Sequence, residues 1–209
     1  RTGRRFANEA ANYNALGGAF HQFDPTAFRY ANLPCWLVFD AAHLRRYGFL
    51  SVPPGESTPD WFTTEESLDD LGATLGLPDG ALAATVERFN AHAVAGADPD
   101  FGRGESAYDG WNGDLDRYPG PGATLGPLLE PPFHAVEVHP GCLGTKGGPV
   151  TTADGEVRHV SGEVIPGLYA AGNAMAGTTG MVYGGAGGTL GPAMVFGYRA
   201  GRHAAGVRA

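Results

Sequence analysis

Glycine is spread unevenly along this chain, and that unevenness limits what the chain can fold into more than any other feature. Of 34 glycines in 209 residues, eighteen lie from Gly141 onward. The total, roughly 16%, is about twice the share in ordinary globular chains. No Gly-x-y period is present and the glycines sit among apolar runs, which excludes a collagen helix and a flexible linker. In a packed chain, glycine serves where backbone must come close to another backbone or to a ligand. The densest run is Tyr183-Gly184-Gly185-Ala186-Gly187-Gly188-Thr189-Leu190-Gly191-Pro192. It leads into a helix expected from Thr189–Pro192 to about Ala205, with Pro192 in the first turn, where a missing N–H costs nothing.

A Gly-rich loop before a helix offers free backbone N–H groups and the positive end of the helix dipole. That favours an anion, either phosphate or an electron-rich ring carrying negative charge. The run is not the dinucleotide fingerprint, because Leu190 stands where a third glycine would follow Gly185 and Gly187. Close packing of a Gly/Ala-rich helix on a sheet fits the same pattern, so the loop alone leaves both readings open. Tyr118 to Pro127 matches the run at seven of ten positions. It is followed by Leu128-Leu129-Glu130-Pro131-Pro132, which cannot make a long helix, and is read as a loop.

The composition shift near Gly141 marks a boundary, with a mixed helix–loop region before it and a Gly-rich strand–loop–helix after it. In the first region, Cys35-Trp36-Leu37-Val38-Phe39-Asp40 reads as a buried strand. Ser67 is expected to cap a short helix, Leu68 to Leu75. Asp79 is expected to cap a longer one, in which Leu82, Val86, Phe89 and Ala93 repeat at helical spacing as far as Gly96. Ala97 to Pro132 is read as one long loop, and such loops in compact proteins are usually functional. Phe133 to His139 gives a ragged strand signal. Turns at Ala153-Asp154-Gly155 and Ser161-Gly162-Glu163 suit a two-strand ribbon, and Leu168 to Asn173 reads as a short buried strand.

Fourteen basic against 22 acidic residues give a net charge of −8, which argues against a nucleic-acid binder. No stretch is apolar enough to span a membrane and no signal peptide opens the chain, so a cytoplasmic location is expected. Cys35 and Cys142, 107 positions apart, carry no metal or redox spacing; one long-range disulfide is the alternative. His134 and His139 point to opposite faces of a strand, and His203 is expected to be solvated in the last helix. No metal site is expected. A hydrolase nucleophile elbow is absent. Tyr108, in the long loop, and Tyr183, at the head of the Gly-rich run, are acid–base candidates. A phenol serves there only if a neighbour stabilises the phenolate, and packing is the plainer role for both.

Ile165 to Asn173, followed by Gly187 to Tyr198, resembles the carboxyl end of FAD-dependent oxidoreductases of the fumarate reductase and 3-ketosteroid dehydrogenase superfamily. Gly3-Arg4-Arg5-Phe6-Ala7-Asn8-Glu9 is similar to the point where their cap domain begins. Arg103-Gly104-Glu105-Ser106-Ala107-Tyr108-Asp109 and Leu143-Gly144-Thr145-Lys146-Gly147-Gly148 resemble the 3-ketosteroid Δ1-dehydrogenase branch. The fumarate reductase branch has histidines where Leu143 and Gly144 stand, and an arginine in its Gly-rich loop; both are missing here. In the steroid branch a proline commonly follows the loop tyrosine, whereas Gly184 follows Tyr183, leaving its orientation freer.

The resemblance implies an α+β chain: a substrate-cap domain over residues 1–140, then the strand–loop–helix end of a Rossmann-like FAD domain over 141–209. The amino-terminal Rossmann half, with one further active-site tyrosine, has no counterpart here, so a fragment of a longer enzyme is expected. The implied reaction removes hydrogen from C1 and C2 of a 3-ketosteroid held in an apolar pocket. Tyr108 is the implied base, with Tyr183 and the Gly187 N–H on the C3 oxygen. Gly172, Asn173, Gly188, Thr189 and Leu190 are the implied FAD contacts. A relative acting at C4–C5 or on another ring ketone is the alternative, as is a cofactor-free binding fragment.

Overall fold

A computed structural model describes residues 1–180 and 182–206. The chain divides into two compact units, Arg1–Pro140 and Gly141–Ala209, and mixes helices with antiparallel sheets.

The first unit is built on a three-stranded antiparallel sheet. β3 (Cys35–Asp40) and β4 (Thr63–Glu65) flank β5 (Phe133–Val138), which is central; the hairpin strands β1 (Phe23–Asp24) and β2 (Arg29–Tyr30) lie outside it. Asp40 pairs with Phe133 and Cys35 with Val138, so alternate side chains divide between two cores. On one face Phe133 and Ala135 pack against Leu71, Leu82 and Val86. These come from α3 (Leu68–Thr74) and α4 (Ala81–Ala95), whose apolar positions recur at helical spacing. On the other face Phe39, Leu44, Val52 and Phe62 form an aromatic-rich cluster, with the buried His134 ring 5.4 Å from Phe39. Thr64 Oγ1 bonds its Nδ1 at 3.0 Å, and burial holds the His134 pKa below the ordinary histidine value. Two short helices precede the long connection: α1 (Tyr13–Phe20), capped by Asn12, and α2 (Ala41–Tyr47), capped by Asp40. The buried Asp40 carboxylate also accepts from the N–H groups of Leu129 and Glu130, which fixes the chain as it enters β5.

Three expectations are corrected. Asp79 does not cap α4; Gly80 does, in a left-handed conformation after the turn closed by Ala81 N–H on Pro78 carbonyl, without a side-chain bond. The stretch from Ala97 to Pro132 is not one loop. It contains α5 (Ala107–Trp111) and a 3₁₀ turn over Gly120–Thr124, because Ser106 supplies a helix cap within it. The buried strand expected over Leu168–Asn173 begins and ends earlier and is mostly exposed.

In the second unit that strand is β7 (Val164–Tyr169), paired antiparallel with β6 (Glu156–Arg158) around the turn at Ser161-Gly162-Glu163. It stops at Tyr169, and Gly172–Ala174 form a 3₁₀ turn packed on α6 (Leu190–Ala204). Tyr169 Oη bonds His203 Nδ1 at 2.9 Å, so His203 is engaged rather than simply solvated. Both cysteines are free, Cys35 buried and Cys142 exposed.

Candidate active site

The first unit holds Tyr108 on α5, one residue after the start of that helix. Ser106 Oγ accepts from the Asp109 N–H and donates to Asp109 Oδ1 at 2.5 Å, so cap and helix fix each other. Asp109 is buried, and its Oδ2 accepts from Asn8 Nδ2 at 2.8 Å and from the Gly104 N–H at 2.9 Å. Burial opposes the Asp109 charge, but the bonds from Ser106, Asn8 and Gly104 hold its carboxyl below the usual carboxylate range. Tyr108 itself stands half out in solvent, and its hydroxyl bonds no group among the described residues. A firmly anchored backbone therefore presents an uncommitted phenol.

An ionic network backs this loop. Arg5 forks onto Asp98 with bonds of 2.9 and 2.8 Å, and onto Glu9 with bonds of 2.8 and 2.7 Å. Its guanidinium lies 5.0 Å from the ring centres of both Phe89 and Phe101. Arg103 reaches Glu9 at 3.1 Å. Burial opposes the charge of Asp98, whose side chain is 0% exposed, yet Arg5 brings its pKa down to about 2. Glu9 is lowered in the same way by Arg5 and Arg103. His92 Nδ1 stands 3.5 and 3.6 Å from Asp98 and Asp100, but these carboxylates already carry Arg5 and Arg88, whose charge opposes a metal cation.

The second unit holds Tyr183, Gly187 and the expected cofactor contacts. The Tyr183 ring lies against Gly188; a Cβ on that glycine would stand 3.1 Å from ring atom Cε2. The Tyr183 ring thus lies on the loop at Gly188, the residue after Gly187. Gly187 has φ +86°, a Cβ there would meet nothing within 4 Å, and no described residue accepts from its N–H. α6 follows Thr189, which makes no side-chain cap bond, and has no acidic residue in its first turn. Its positive end is therefore uncompensated by the side chains of that turn. Asn173 and Gly172 lie in the 3₁₀ turn against the same helix. Sequence reasoning missed Asp109 and Asn8. The Ser106-x-x-Asp109 spacing, a capping signature, was the signal for the first, whereas nothing local marks a partner 101 residues away.

The FAD binding domain family matches residues 1–190. The chain belongs to it. A 4-oxocyclohexanecarboxylate 2-dehydrogenase of Sinomonas cyclohexanicum is 49% identical over 210 residues, covering 100% of this chain and 36% of that protein. A 3-oxosteroid 1-dehydrogenase of Mycobacterium tuberculosis is 42% identical over 214 residues, covering 98% and 37%. The crystal structure of 3-ketosteroid Δ1-dehydrogenase from Sterolibacterium denitrificans, in complex with 1,4-androstadiene-3,17-dione, matches with a TM-score of 0.87 at 36% identity, covering 99% and 38%. The resemblance to the Δ1-dehydrogenase branch is borne out, and this chain spans little more than a third of the length of these relatives. FAD is the cofactor of the family. The second unit fits such a group on its own terms: a helix N-terminus without a side-chain cap and a Gly187 N–H that no described residue accepts suit a ring system that gains negative charge. Among the described residues no helix is long and apolar enough to cross a membrane.

Proposed function

We propose that this chain supplies the proton-abstracting and enolate-binding groups of an FAD-dependent dehydrogenase that desaturates a ring ketone, with C1–C2 of a 3-ketosteroid as the bond. Residues 1–140 serve as the substrate cap and 141–209 as the end of the FAD domain. The observation that carries the reading is the Gly187 N–H, which no described residue accepts, one residue before the glycine on which the Tyr183 ring lies. A donor with no partner among the described residues is suited to an oxygen on which charge develops.

The chemistry follows from acidity. Hydrogen on the carbon next to a ketone is acidic because its loss yields an enolate. Tyr108 takes the proton at C2, and the group that stabilises its phenolate has to come from outside the described residues. The enolate charge collects on the C3 oxygen, where Tyr183 Oη and the Gly187 N–H bind it more tightly than they bind the neutral ketone. Such stabilisation acts on the barrier and not merely on binding. FAD, when bound, supplies the acceptor for the hydride from the neighbouring carbon. Asn173, Gly188, Thr189 and Leu190, with Gly172, are the residues that would hold it.

A second reading keeps the chemistry and changes the ring. The relative at 49% identity is named for a 4-oxocyclohexanecarboxylate, and its 2-dehydrogenation also lies α,β to the ketone. The test is dye-coupled turnover of androst-4-ene-3,17-dione and of 4-oxocyclohexanecarboxylate by the flavin-loaded protein expressed from its whole gene. Turnover of the steroid with the higher kcat/KM is expected; the reverse order selects the second ring. In either case Tyr108→Phe lowers kcat by about 10²–10⁴-fold with FAD content unchanged. Retained turnover removes Tyr108 as the base.

A further inference from the structure

We infer that Lys146 is a positioning residue for the oxyanion-binding loop, an inference that rests on the function proposed above. Its base is fixed by backbone. The Gly147 N–H donates to the Asn173 carbonyl at 3.0 Å, and the Ala176 N–H donates to the Pro149 carbonyl at 2.9 Å. Residues 147–149 are therefore stitched to 173–176. From there the Lys146 side chain crosses to the head of the Gly-rich run. Its Nζ donates to Thr179 Oγ1 at 2.6 Å and to the Val182 carbonyl.

Those two acceptors belong to one turn, since the Val182 N–H donates to the Thr179 carbonyl at 3.2 Å. One ammonium thus grips both ends of a turn that a backbone bond already closes. Val182 immediately precedes Tyr183. Gly184, on its other side, gives no steric control over the tyrosine, so the backbone entering Tyr183 is fixed from the Val182 side, in addition to the contacts of the ring itself. A charge-assisted bond to that carbonyl provides it, about twice as strong as a neutral bond. Lys146 touches none of the reacting atoms; it acts through the orientation of the Tyr183 peptide.

The test compares Lys146→Met, Lys146→Arg and wild type as flavin-loaded protein from the whole gene. It measures kinetics on the preferred ring ketone and amide hydrogen exchange along the chain. Met matches the length without donors, and Arg keeps charge and donors. Lys146→Met is expected to lower kcat about tenfold and to speed exchange at the Val182–Gly188 amides about tenfold, with KM and FAD content within about twofold. Lys146→Arg is expected to recover most of both. Unchanged exchange at Val182–Gly188, an Arg variant as impaired as Met, or a Met variant that loses FAD or fails to fold overturns the inference. If wild type turns over no ring ketone, the functional reading falls, and the exchange measurement alone decides whether Lys146 holds the loop.

Discussion

Replacing Asp98 by Asn tests the ionic network behind Tyr108, because it keeps the side chain's shape and removes its charge. Asp98 has no exposed side-chain surface and accepts both prongs of Arg5. Its pKa falls from an ordinary 3.8 to about 2, with Arg5 overcoming the opposing effect of burial. At 1.36 kcal/mol per unit, that drop is worth about 2 kcal/mol to the native state at neutral pH. Because the native pKa lies below the unfolded one, the contribution is complete above about pH 4. As the pH falls further, the unfolded chain takes up a proton that native Asp98 still refuses, and the contribution is lost on the way to pH 2. Urea unfolding of wild type and Asp98→Asn from pH 7 to pH 2.5 reads this directly. A stability gap of about 2 kcal/mol is expected at pH 7, narrowing below pH 4. Arg5→Met, which strands the buried carboxylate, is expected to cost more, about 3–5 kcal/mol. A gap that stays constant down to pH 2.5 refutes the reasoning, since the loss would then not come from the charge.

Two more outcomes follow from the first unit. Gly104 has φ +93°, and a Cβ there would fall 2.7 Å from the Pro121 carbonyl oxygen, so Gly104→Ala is expected to destabilise by about 1–3 kcal/mol and to lower turnover by displacing Asp109; chemical denaturation and kinetics check both. His134 is kept neutral by burial, so the unfolded chain binds the extra proton below about pH 6.5 and stability falls from pH 7 to pH 5. The unfolding midpoint of His134→Gln is expected to fall less over that range.

The sequence was most legible where a period or a punctuation mark stood alone. Leu82, Val86 and Phe89 announced α4, whose end at Gly96 is a left-handed cap, and Ser67 announced α3. Strand β3 and the turn at Ser161-Gly162-Glu163 were read from β-rich runs and turn residues. Elements that bury almost nothing were invisible: α2 buries Leu44 alone, α1 buries only Phe20, and β4 is three residues long. Of the proposed site, Tyr108, Tyr183 and Gly187 could be named because motifs frame them. Their supports could not, since Asn8–Asp109 and Arg5–Asp98 join residues 101 and 93 positions apart. Lys146 stood in a recognised motif, but its grip on Val182 depends on a turn that no local pattern encodes.

Those long spans bear on when the first unit becomes competent during folding. Closing a loop of about a hundred residues costs on the order of 4 kcal/mol of chain entropy before any contact repays it. The Asn8–Asp109 and Arg5–Asp98 bonds each demand such a closure, and the Asp40 bonds to Leu129 and Glu130 demand nearly as much. Local helices such as α4 can form early, whereas the cradle under Tyr108 is complete only once the ends of this unit have met. A partly folded first unit therefore carries Tyr108 without its setting, and the step that seals the unit is also the step that completes the support of the proposed base.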